Sequence, residues 1–96
     1  NVMPGTSITI TDEPTLLAAA KSRDQRALIY VDNHSGVPIF LAIGQGSSGV
    51  TTTNGRRLDS GERIMIYNTQ TDSEATGALY GIVATGTASV LVTEGN

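Results

Sequence analysis

Apolar and polar residues alternate with a period of two along much of this chain. SITIT at residues 7–11 puts Ile8 and Ile10 on one face and hydroxyls on the other, the pattern of a half-buried strand. ALIYVDN (27–33) and VPIFLAI (37–43) are predicted strands by their Leu, Ile, Tyr, Val and Phe content. Asn33-His34-Ser35-Gly36 supplies the turn between them, and Pro38 sits at a strand start, where a missing N–H does least harm. RIMIYN (63–68) is a further strand. So are 78–84 and 88–93, joined by Thr85-Gly86-Thr87. Residues 44–49 and 51–55 read as loop, with a short strand through the threonines as an option. Asn54-Gly55 and the run Leu58-Asp59-Ser60-Gly61-Glu62 read as turns.

One stretch is ambiguous. In DEPTLLAAAKSRDQR, Asp12 before Glu13 and Pro14 resembles a helix start, and Leu-Leu-Ala-Ala-Ala favours helix. TLLAAA can equally run extended into a polar turn. The surrounding β pattern favours the extended form.

Short strands at roughly ten-residue spacing, punctuated by Gly and Asn, predict an all-β fold. The expected architecture is a small antiparallel β-sandwich or jelly-roll-like barrel of six to eight short strands. The expected organisation is an extended N-terminal arm or edge strand over 1–15, then one sandwich domain over 16–96.

Several strands are apolar on both faces. Ile64 and Ile66 share one face of RIMIYN, and Met65 and Tyr67 the other. Ile39, Leu41 and Ile43 oppose Phe40 and Ala42. A sandwich strand needs only one apolar face. Either loops cover the outer faces, or another subunit does.

Composition narrows the function. The 96 residues fit one domain. No apolar run approaches the ~20 residues of a transmembrane helix. The opening NVMPGTSITI has neither the basic region nor the long apolar region of a signal peptide. There is no cysteine, so disulfides and thiolate chemistry are excluded, which suits a reducing cytoplasm. Net charge is −3 with six basic residues, which argues against nucleic acid or an anionic membrane as main partner. The local pairs Arg56-Arg57 and Arg23/Arg26 read as solvated turn charges.

Candidate chemistry is thin. GQGSSG matches G-x-G-x-x-G through Gly44, Gly46 and Gly49, but the motif needs a helix opening on its third glycine. VTTTNG follows, rich in β-branched residues and ending in a turn pair, so a loop is expected instead. His34, the single histidine, stands in a turn without a partner that would make it a base. Asn33-His34-Ser35 is a glycosylation sequon, meaningful only in a secretory context. Asp59, Glu62, Asp72 and Glu74 lack calcium-loop spacing. No catalytic residue, cofactor or metal site is expected, and the chain reads as a non-enzyme.

The order of motifs resembles a small β module of tailed-phage virion proteins. The similarity spans residues 16–95: a leucine-alanine segment, an Arg before a strand ending in Asn, and the strand PIFLAIG. The turn GRRLDSGE follows, and then the hairpin GALYGIVATGTASVLVTE. Residues 20–26 run longer than in that pattern. The resemblance implies a virion structural protein, most simply a capsid decoration or cement protein, assembled in the host cytoplasm. Its partners would be the major capsid protein or another virion protein and its own copies, with trimers implied by the capsid analogy. Contact residues expected on this reading are Ile8, Ile10, Phe40, Met65, Tyr67 and Tyr80. A carbohydrate- or receptor-binding module of a tail fibre or spike is the alternative. The shortage of aromatic platforms counts against it: no Trp, and only Tyr30, Tyr67 and Tyr80 among tyrosines.

Overall fold

A computed structural model describes residues 4–43 and 49–96. The described chain forms eight strands: β1 (Thr6–Ile10), β2 (Thr15–Ala18), β3 (Leu28–Asp32), β4 (Ile39–Ala42), β5 (Arg56–Leu58), β6 (Arg63–Tyr67), β7 (Leu79–Ile82) and β8 (Ala88–Gly95). They make two four-stranded antiparallel sheets, A in the order β1-β8-β3-β6 and B in the order β2-β7-β4-β5. Four of the pairings are nested: β1 with β8, β2 with β7, β3 with β6, and β4 with β5. That is one long antiparallel hairpin rolled over into two layers, the jelly-roll arrangement.

The alternation of apolar residues turns one face of each sheet inward. Sheet A contributes Ile10, Ile29, Val31, Ile66, Val90 and Val92 to the core. Sheet B contributes Leu17, Ile39, Leu41, Leu58, Leu79 and Val83. Burial of such side chains stabilises a fold by ~25 cal/mol per Å² of apolar surface removed from water. Gly81 lies mid-core on β7. A Cβ there would meet Ile10 Cδ1 at 2.9 Å, Leu17 Cδ1 at 3.1 Å and Leu41 Cδ2 at 3.2 Å.

Residues 15–18 take the extended form, with a shift of register between Leu16 and Ala18 against β7. β1 is an edge strand of sheet A, paired from Thr6↔Val92 to Ile10↔Ala88. Ile10 ends it inside the core, so residues 6–10 are part of the sandwich. Two expectations are corrected. Thr52, Thr53 and Asn54 form a turn, and the strand falls instead on Arg56–Leu58, which had read as turn sequence. It pairs with β4, and Leu58 alone of the three is buried, opposite Ile39.

Arg26 overturns the expectation of a solvated charge: it is fully buried. Its Nε donates to the Ala75 carbonyl (2.6 Å), Nη1 to the Ala19 carbonyl (2.7 Å) and Nη2 to the Gly77 carbonyl (3.0 Å). Nη1 also donates to Glu94 Oε1 at 2.9 Å. Arg23 holds the same segment from outside, donating to the carbonyls of Thr69 and Asp72 and to Ser73 Oγ. The two arginines thus order the loop between β6 and β7. Five N–H donors in a planar fork make arginine suited to collecting several carbonyls at once.

Candidate functional site

The outer face of sheet A follows from the strand registers. Leu28 of β3 stands between Tyr67 of β6 and Gly95 of β8, and Tyr30 stands between Met65 and Thr93. Asp32 stands between Arg63 and Leu91. Leu28, Tyr30, Met65, Tyr67 and Leu91 therefore share one outward surface. Met65 is 44% exposed and Tyr67 51% exposed. Gly95 makes room for this layer, since a Cβ there would meet Leu28 Cδ1 at 2.9 Å.

One charged pair borders the apolar residues. Arg63 Nε donates to Asp32 Oδ1 at 2.6 Å and Nη2 to Oδ2 at 3.3 Å, a two-pronged contact. Asp32 is buried, while the arginine side chain stays largely exposed. The guanidinium lies 4.9 Å from the centre of the Tyr30 ring, within cation–π range. The hydrogen bond and charge of Asp32 hold the Arg63 guanidinium above its ordinary range.

Sheet B is covered differently. Val50, from the loop before β5, is buried against Ala42 and Ile82, with Phe40 and Tyr80 packed around them. This loop of the same chain covers the middle of the second apolar face, while Leu16, opposite Tyr80 on that face, stays 45% exposed. Among the described residues nothing covers sheet A in that way. Loop cover thus accounts for the middle of sheet B's outer face and leaves that of sheet A open.

The candidate contact residues separate accordingly. Met65 and Tyr67 lie on the open face of sheet A. Ile10 has no exposed surface, and Ile8 is half-buried against the core, so β1 presents its hydroxyl face outward. Phe40 and Tyr80 are half-buried under the Val50 loop. Leu28, Tyr30, Leu91 and Arg63 join the face unanticipated. The alternation of β3 and β8 placed them outward, but only the register shows that they adjoin Met65 and Tyr67.

The polar motifs are used up structurally. Asn33 is fully buried. Its Nδ2 donates to the carbonyls of Val37 (2.9 Å) and Leu58 (3.0 Å), and its Oδ1 accepts from the Ser35 N–H (3.1 Å) and Ser35 Oγ (2.6 Å). Both amide hydrogens are committed, so the folded sequon offers no free amide to a glycan. His34 is exposed. Gly44 and Gly46 of the glycine motif lie outside the described residues. Among the described residues no three His, Asp or Glu side chains come together as metal ligands. A shallow, mostly apolar depression of about 330 Å³ lies on sheet B between Val37, Pro38, Phe40, Val83 and Arg57. Its arginine is paired with Asp59 (Nε–Oδ1 2.5 Å).

No family model matches the chain, and no curated protein or solved structure matches it either.

Proposed function

We propose that this protein is a non-enzymatic structural module of a phage virion, a capsid decoration protein that docks through the outer face of sheet A. One observation carries the reading: five apolar side chains adjoin on the outer face of sheet A, where no loop of the described residues covers them as Val50 covers the middle of sheet B, with Met65 and Tyr67 outermost. The buried polar residues Arg26 and Asn33 serve the fold. The motif resemblance over residues 16–95 and the jelly-roll architecture, which virion domains often use, support the virion assignment. The coat subunit would cover Leu28, Tyr30, Met65, Tyr67 and Leu91, gaining the free energy of apolar burial less the cost of association, repeated over many copies.

Co-expression with the coat protein encoded in the same genome tests this. Particles are isolated on a gradient and the copies bound per particle counted. Replacing Met65 and Tyr67 together by Ser should lower affinity about tenfold or more, since truncating central interface anchors costs ~1–2 kcal/mol or more. Equal uptake of the folded variant and the original chain would reject the reading. The half-exposed Tyr67 ring favours a second reading, a carbohydrate platform. Glycan-array binding lost on Tyr67→Ala would select it.

A further inference from the structure

We propose that two copies of this chain join edge to edge through β6, in antiparallel register about a twofold axis at Met65. The starting point is the hydrogen-bond phase of the strand. Asn33 N–H donates to the Glu62 carbonyl and Asn68 N–H to the Ala27 carbonyl, both at 2.9 Å. In an antiparallel ladder such bonded residues recur at every second position. Glu62, Ile64, Ile66 and Asn68 therefore bond towards β3, with Ile64 opposite Val31 and Ile66 opposite Ile29. The N–H and C=O groups of Arg63, Met65 and Tyr67 point to the open edge, because β6 ends sheet A.

Those edge groups fit a second copy of themselves. With Met65 on the axis, Met65 exchanges both bonds with its counterpart, and Arg63 of each copy does so with Tyr67 of the other. The side chains agree with the backbone. On the outer face the order Arg-Met-Tyr reads as its own complement when reversed, placing each Arg63 guanidinium beside a Tyr67 ring and methionine against methionine. On the inner face Ile64 of one copy meets Ile66 of the other. Ile64 is half-buried at the border of the core, and the second copy completes its cover.

The strand also lacks the devices that keep edges apart. It contains no proline and no lysine, it pairs with β3 without a bulge, and its one charge lies at its end. The other edge of sheet A, β1, is as short but has no such self-complement: reversing Thr-Ser-Ile-Thr-Ile sets Thr6 against Ile10, which is already enclosed in the core. The resulting eight-stranded sheet would carry a doubled outer face. This contact is twofold, unlike the trimer of the capsid analogy, and does not depend on what partner covers the face.

Cross-linking tests the register in a chain that has no cysteine of its own. Bonded antiparallel partners lie about 5.5 Å apart at Cα, within disulfide reach. Mild oxidation with diamide should convert Met65→Cys to a covalent dimer. Tyr67→Cys lies two residues from the axis on each copy, so the two thiols stand about 13 Å apart along the strands and should stay free. The unmodified chain should sediment as a dimer, and Met65→Lys, with its fold checked by circular dichroism, as a monomer at the same concentration. Should Met65→Lys fail to fold, the cysteine pair still decides. A monomeric unmodified chain, or equal cross-linking at positions 65 and 67, overturns the proposal. A monomer that still decorates capsids would leave the functional reading standing, and a dimer that binds no capsid would do the reverse.

Discussion

Arg26 Nη1 reaches Glu94 Oε1 at 2.9 Å, joining a fully buried cation before β3 to the second-last residue of β8. Lys21 reaches the same oxygen at 3.1 Å from the surface. The arginine also takes three carbonyls from residues 19, 75 and 77, so one side chain fastens the loops on either side of the strand pair. Arg26→Ala should destabilise the protein by about 3–5 kcal/mol, the cost of leaving buried acceptors and a carboxylate without their partner. Arg26→Lys should recover only part of that, since a single ammonium cannot span four acceptors. Urea unfolding curves for the two variants provide the comparison. A loss under 1 kcal/mol for the alanine variant would contradict this account.

Glu94 gives the fold a pH dependence. Burial pushes its carboxyl up, but the hydrogen bonds and charges of Arg26 and Lys21 outweigh this and hold it below its ordinary value of 4.5. A depressed folded-state value means that the unfolded chain binds the proton more readily. The stabilisation is therefore complete above pH 4.5 and is lost as pH falls through the lower folded-state value. Glu94→Gln should lower stability at neutral pH by about 1–3 kcal/mol. It should also flatten the acid limb, seen as midpoints of thermal unfolding measured over acidic pH. An unchanged acid limb would exclude Glu94 as its source.

Asn33 holds the 33–37 turn and the end of β5 through one amide. Asn33→Asp removes the donors to Val37 and Leu58 and sets a carboxylate against two carbonyls, whereas Asn33→Ala leaves those carbonyls only unpaired. Asn33→Ala should cost about 1–3 kcal/mol and Asn33→Asp more at neutral pH. The difference should narrow in acid, where the aspartic acid can donate. Equilibrium denaturation at two pH values measures it.

Gly81→Ala tests the packing between the sheets. Its methyl group would press on Ile10, Leu17 and Leu41 at 2.9–3.2 Å. Overpacking of this kind costs about 1–3 kcal/mol. A midpoint shift in denaturant without a change of slope is the expected result. No shift would mean that the three side chains can move aside freely.

The alternation at 7–11, 27–33, 37–43 and 63–68 was enough to place most strands, because each needed one apolar face for the core. β5 escaped notice because Arg56 and Arg57 give no alternation and only Leu58 is buried. Arg26 was misread for a related reason. A buried arginine in a loop has no period, and its carboxylate partner lies 68 positions away. Surplus apolar residues on both faces could be seen along the chain. How far each face stayed open could not, because that depended on Val50 folding over the middle of sheet B and on which residues the register set side by side.

The nested pairing also makes β8 the strand that joins sheet A. β8 lies between β1 and β3, and the outer hydroxyls of Ser7 and Ser89 meet across 82 residues of chain. Such long closures make folding slow, in the millisecond-to-second range typical of β-sandwiches. Until β8 inserts, β1 has no neighbour and β3 keeps one side unbonded. β8 is therefore the strand whose release would divide sheet A, leaving β1 alone and β3 paired only with β6, both with edges open to mispairing.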